Sequence, residues 1–235
     1  MRDLHDHYFK LAKERGFLSR SAFKLIELDD RKRLVKAGDW VLDAGCAPGS
    51  WLQVIAGRVG PRGCVAGVDL KEVDPRRFES NVRVVQGDIE SVTLDELLGP
   101  WRRERPGPAP FNAILSDIGP DTTGDPSGDS ARSVRLCQML LDRAGEWLRP
   151  GGNLAMKVYE GGDYPELLRR AKREFDDARG FKPDASRGES VEMYIVCHKF
   201  RPPRPAKETG ASPLTPRAAP PARRRSSGWG RREGA

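Results

Sequence analysis

Four apolar runs in the first half of the chain each lead into an aspartate: Val41-Leu42-Asp43, Val65-Ala66-Gly67-Val68-Asp69, Val84-Val85-Gln86-Gly87-Asp88 and Ala113-Ile114-Leu115-Ser116-Asp117. Short runs of this kind, rich in branched residues, read as strands buried on both faces, and such strands belong to parallel sheets. The carboxyl ends of neighbouring parallel strands line one crevice, where open α/β sheets bind their ligands. Four carboxylates are therefore expected to converge there. Aspartate also favours turns and helix N-caps, which accounts for a single such residue more readily than for four in succession.

The rest of the chain supports that architecture. Strands are expected at Trp40 to Asp43, Cys64 to Asp69, Val82 to Gln86, Ala113 to Ser116, Leu154 to Tyr159 and Met193 to Cys197. Amphipathic helices fall between them, including Ser19 to Arg33, Trp51 to Arg58, Ser130 to Trp147 and Pro165 to Phe175. This alternation predicts a doubly wound α/β fold with a mostly parallel sheet. Gly99 to Pro110 reads as a connecting loop, and Arg149-Pro150-Gly151-Gly152 as a helix stop followed by a turn. Three regions follow: a basic helical segment over 1–36 packed on the main domain, the α/β domain over 37–200, and a tail over 201–235.

The net charge of +7 lies in that tail, where eight Arg and one Lys face two Glu, so residues 1–200 carry no net charge. With seven prolines and few apolar groups, the tail cannot offset its ordering entropy and is expected to be disordered. A basic segment of this kind suits a polyanionic partner. The 1–36 segment has a smaller excess, ten basic against six acidic residues. Cys46, Cys64, Cys137 and Cys197 have no metal-ligand spacing, which suggests reduced thiols in a cytoplasmic protein with no metal. No apolar stretch approaches membrane-spanning length, so no membrane association is expected.

After the first strand comes Asp43-Ala44-Gly45-Cys46-Ala47-Pro48-Gly49-Ser50-Trp51. Gly45 and Gly49 allow a tight turn and close approach of a ligand. The loop lacks the GxGxxG fingerprint of dinucleotide binding and the Lys-Ser/Thr pair of triphosphate binding, which disfavours a nicotinamide-dependent oxidoreductase. An adenosine ligand without a pyrophosphate fits better, with Asp69 placed for ribose hydroxyls. Lys157 is the anomaly, an ammonium inside the apolar run Leu154 to Tyr159. Burial requires a carboxylate partner or a neutral amine, and Glu192 is one candidate partner; a solvent-facing edge strand is the alternative.

These residues resemble the FtsJ/RrmJ family of ribose 2′-O-methyltransferases. The resemblance rests on Ser19 to Leu25 (SRSAFKL), Leu42 to Trp51 (LDAGCAPGSW), Gly67 to Leu70 (GVDL), Gln86 to Asp88 (QGD), Leu115 to Pro120 (LSDIGP), Met156 to Gly161 (MKVYEG) and Lys182 to Val196. It implies a seven-stranded sheet, S-adenosyl-L-methionine as cofactor with contacts at Gly49, Trp51, Asp69, Asp88 and Asp117, and a catalytic tetrad of Lys24, Asp117, Lys157 and Glu192. It implies a monomer acting on a uridine of large-subunit (23S) ribosomal RNA within the ribosomal particle. Transfer RNA methylation and non-catalytic RNA binding are the alternatives. Lys157 would be the general base, with Asp117 orienting it and with Lys24 and Glu192 positioning the ribose. A lysine, ordinarily titrating near 10.4, serves as a base only where burial or a nearby cation such as Lys24 disfavours its charge. Two places depart from the family pattern: Ser50 stands where a second glycine is common, and Gly119 and Asp121 stand where alanine and asparagine are usual.

Overall fold

The computed structural model describes residues 2–104, 106–107, 109–184 and 191–202. All but the first two residues of the tail expected to be disordered lie outside the described residues. Two helices, α1 (Arg2–Glu14) and α2 (Ser21–Lys32), precede the sheet. Its strands are β1 (Trp40–Ala44), β2 (Cys64–Asp69), β3 (Val82–Gln86), β4 (Phe111–Ser116), β5 (Leu148–Tyr159), β6 (Phe175–Phe181) and β7 (Glu192–Phe200). Between them run α3 (Ser50–Val59), α4 (Leu94–Leu98), α5 (Pro126–Trp147) and α6 (Tyr164–Glu174).

The strand order is β3-β2-β1-β4-β5-β7-β6. Strands β1 to β5 pair in parallel, and β7 runs antiparallel to both β5 and β6. From β1 the chain winds outward through β2 and β3, then returns to place β4 on the other side of β1. The strand order reverses at β1/β4, and the ligand crevice of such a sheet lies at that point.

Strand periodicity sends alternate side chains to opposite faces, and both faces are covered. Leu42, Ile114, Leu154 and Met156 pack with Val134, Leu141 and Leu167 from α5 and α6. Val41, Leu115, Ala155 and Tyr194 pack with Leu25, Leu28, Leu52 and Ile55 from α2 and α3. Each such fully buried aliphatic side chain contributes roughly 1.5–3 kcal/mol from apolar burial. Helix α2 ends where Arg33 turns left-handed at φ 54° and its N–H bonds Asp29 O; the Asp29 carboxylate then accepts the Leu34 and Val35 N–H groups.

The larger differences from the sequence reading are three. Helix α5 begins at Pro126, four residues before Ser130, because Asp125 caps it by accepting the Ser127 N–H and Pro126 fits the first turn. The turn at Arg149 to Gly152 is looped out of β5, since Leu148 pairs with Phe111 while Asn153 pairs with Ala113. Strand β6 follows α6 without a break. Its sequence FDDARGF buries Phe175 and Ala178 and exposes charges, the pattern of a protected sheet edge.

Candidate active site

The loop between β1 and α3 is held by two glycines. Gly45 has φ 79°, and a Cβ there would run into the Ile118 side chain, so the loops after β1 and β4 meet at this residue. Gly49 has φ 106°, and a Cβ would come within 2.6 Å of Phe78 Cζ. Ser50 is buried, and its hydroxyl bonds those of Ser19 and Ser21 at 2.8 and 2.7 Å. A serine rather than a glycine at this position thus ties α3 to the start of α2. Trp51 is buried as well, donating from Nε1 to Ser21 O at 2.9 Å and stacking on Tyr194. Its ring is buried in that packing. What Trp51 offers a ligand is its backbone N–H in the first turn of α3, where helix donors have no intrahelical partner.

The strand-end carboxylates have different surroundings. Asp69 accepts the Ala47 N–H on one oxygen and the Lys71 N–H on the other, both at 2.8 Å, which still leaves lone pairs for ligand hydroxyls. Asp88 is exposed, and one of its oxygens accepts the Glu90 N–H. Leu70, beside Asp69, has a 69% exposed apolar side chain. Asp43 is fully buried, and neither carboxylate oxygen has a hydrogen-bond partner among the described residues. Burial first, then the charges of Asp117 and Asp69, pushes its carboxyl well above the usual carboxylate range. A buried, unpartnered carboxylate at a ligand crevice fits a cationic group.

The tetrad forms where β4 ends beside β5 and β7. Lys157 pairs in register with Tyr194, and Tyr159 with Glu192, so these four side chains share the sheet face covered by α2. Lys157 Nζ donates to the Asp117 main-chain carbonyl at 2.7 Å and lies 3.2 Å from its Oδ1. Lys24 Nζ reaches down from α2 to Glu192 Oε2 at 2.7 Å. The carboxylate opposite Lys157 is therefore Asp117, while Glu192 holds Lys24. Glu192, one candidate partner for Lys157, pairs with Lys24. Tyr194 donates to Asp117 Oδ1 at 2.6 Å. Burial, followed by the Asp117 charge, pushes the Tyr194 phenol well above its ordinary value, so it remains a donor.

The backbone under Lys157 is anchored from α5. Past Ser116, β4 turns away and no longer pairs with β5. Three buried α5 residues bond the β5 backbone there. Ser130 Oγ donates to Tyr159 O at 3.0 Å, Tyr159 N–H donates to Ser133 Oγ at 2.8 Å, and Cys137 Sγ donates to Lys157 O at 3.1 Å.

The chain matches a known family. The model of the FtsJ-like methyltransferases matches residues 17–200. The chain belongs to the FtsJ-like methyltransferase family. It is 42% identical over 198 residues to the ribosomal RNA large subunit methyltransferase E of Syntrophobacter fumaroxidans, covering 84% of this chain and 97% of that one. It is 41% identical over 191 residues to the protein of the same name from Halobacterium salinarum, covering 81% and 72%. A crystal structure from Plasmodium falciparum, described as a ribosomal RNA methyltransferase, superposes with a TM-score of 0.67 at 29% identity, covering 78% of this chain and 98% of that one.

In this FtsJ-like methyltransferase the four tetrad positions come together, and Asp117 and Asp69 lie close enough for their charges to act on Asp43. Three features of the site were missed in the sequence: the unpartnered state of Asp43, the Tyr194 bond to Asp117, and the position of Tyr159. The run of four aspartates pointed to the first. The other two depend on the β5–β7 register, which nothing in the sequence specifies. Among the described residues, no helix is long and apolar enough to cross a membrane.

Proposed function

We propose that this methyltransferase uses S-adenosyl-L-methionine to methylate a ribose 2′-hydroxyl of RNA, with a uridine of large-subunit ribosomal RNA as acceptor. The observation that carries the reading is the pair of ion pairs, Lys157–Asp117 and Lys24–Glu192, set on one sheet face beside the buried and unpartnered Asp43. The crevice suits the cofactor: Asp43 for its positive charge, the α3 first-turn N–H groups for its carboxylate, Asp69 for its ribose, and Leu70 with Asp88 for its adenine. When bound, S-adenosyl-L-methionine supplies a methyl group already activated by the sulfonium charge.

What remains for the protein is positioning and proton removal. The Lys157 amine takes the proton of the 2′-hydroxyl as the oxygen attacks, and becomes an ammonium. Asp117 fixes that nitrogen through its carbonyl and Oδ1, and its carboxylate stabilises the ammonium that forms. Lys24 and Glu192 shape the acceptor side. Lys10, Lys13 and Arg15 are exposed on and just after α1, and they suit a structured RNA held by its phosphates. The names of the relatives support the large ribosomal subunit as the substrate.

The test compares acceptors. Purified protein should methylate large subunits from a strain lacking the activity far better than naked transcript or transfer RNA. Ribose mapping by mass spectrometry should place the mark on a 2′-oxygen. Preferential labelling of transfer RNA would overturn the substrate, and base methylation would overturn the chemistry.

A further inference from the structure

Tyr159 belongs to the patch that carries Lys157, but the mechanism above gives it no task. It stands two residues after Lys157 on β5, on the same face, and opposite Glu192 on β7. Its side chain is 8% exposed, and its backbone N–H and C=O are fixed by Ser133 and Ser130, so the ring has a set direction. That direction is toward the loop after Asp117. A Cβ on Gly119 would lie 2.9 Å from Tyr159 Oη, 3.0 Å from Lys157 Cε and 3.1 Å from Lys157 Nζ. The phenol oxygen and the amine therefore border the same point above Gly119.

The glycine is a matter of space. Gly119 is not among the residues with positive φ, so its backbone would accept an alanine; what crowds the methyl group is the Tyr159 hydroxyl together with the Lys157 side chain. The Tyr194 hydroxyl is committed to Asp117, whereas that of Tyr159 has no hydrogen-bond partner among the described residues. Burial, followed by the Glu192 and Asp117 charges, raises the Tyr159 phenol above its ordinary value, which keeps it a neutral donor.

We propose that Tyr159 is a substrate-positioning residue whose hydroxyl hydrogen-bonds the acceptor ribose beside Lys157, in room that Gly119 leaves for it. This rests on the functional reading above and extends it to the residues that seat the sugar. Gly119 and Tyr159 act as a pair, which accounts for the departure from the alanine usual at position 119.

The experiment is a double-mutant cycle of Tyr159→Phe and Gly119→Ala in the full-length protein. It reads steady-state methylation of large subunits, affinity for S-adenosylhomocysteine and thermal unfolding. Losing one neutral hydrogen bond to the substrate corresponds to a roughly fivefold to tenfold drop in kcat/KM, so Tyr159→Phe should show a drop of that size. Cofactor affinity, Tm and the pH profile of kcat should stay as in the wild type. Gly119→Ala alone should lose about tenfold or more, and should cost clearly less in the Tyr159→Phe background, where the contact with the hydroxyl is gone and only those with Lys157 remain. Wild-type kcat/KM in Tyr159→Phe, or an equal loss from Gly119→Ala in both backgrounds, would overturn the proposal. So would a loss in Tyr159→Phe accompanied by lower Tm or weaker cofactor binding, which would make the role structural. An inactive wild-type protein would overturn the functional reading itself, and the proposal with it.

Discussion

If Asp43 faces the cofactor's positive charge as proposed, it has opposite effects on the free and the cofactor-bound protein, and Asp43→Asn separates them. The carboxyl is fully buried, neither oxygen is paired, and two further carboxylates act on it. Its folded-state pKa is raised, while in the unfolded chain it ionises near the ordinary value of about 3.9. Below that pH both states are protonated and the group does not affect stability. As pH rises past it, the unfolded chain releases the proton first, so the native state loses stability toward neutrality. Asparagine removes that effect but leaves an unpaired amide in the same place. The net gain at pH 7.5 should be about 1–2 kcal/mol, or roughly 3–8 °C in Tm for a body of this size. The advantage should vanish near pH 4. Loss of a charge-assisted contact, worth about 1.5–3 kcal/mol, should weaken S-adenosyl-L-methionine binding by roughly tenfold to 150-fold. Calorimetric unfolding at several pH values and titration calorimetry with the cofactor measure both effects. A Tm at pH 7.5 no higher than wild type, together with unchanged cofactor affinity, would refute the reasoning.

Asp69→Ala should weaken cofactor binding by about tenfold or more in titration calorimetry, since it removes both the ribose acceptor and the bond that orients Ala47 N–H. Ser133→Ala leaves the Tyr159 N–H without its acceptor inside the protein, so denaturant unfolding should show a loss of about 1–3 kcal/mol. Turnover should fall more than cofactor affinity, because the strand that loses its anchor carries Lys157. Deleting residues 203–235 removes six net positive charges, which should raise KM for RNA and flatten the salt dependence of binding. A salt slope unchanged by the deletion would exclude a phosphate-binding role for the tail.

Much of the fold was legible because β1 to β5 and β7 are short apolar runs separated by amphipathic helices. Strand β6 was not: Asp176, Asp177 and Arg179 hide a strand whose burial is confined to Phe175 and Ala178, and helix α6 runs into it without a turn signal. The crevice was legible in the aspartates, since a parallel sheet aligns its carboxyl ends. Lys157 stood out because an ammonium inside a buried strand needs an explanation. Lys24 did not, and the resemblance alone supplied it, since a lysine on an amphipathic helix looks like a solvated one. Its partner Glu192 lies 168 residues away, so the ion pair is set by tertiary packing. The stacking of Trp51 on Tyr194 is likewise set by tertiary packing.

The central claim is that Lys157 removes the proton from a ribose 2′-hydroxyl. Single-turnover methylation of large subunits by Lys157→Ala, with cofactor affinity measured on the same preparation, tests it most directly. The account predicts a rate at least about a hundredfold below wild type with cofactor affinity nearly unchanged. A variant that retains more than roughly a tenth of the wild-type rate would contradict it.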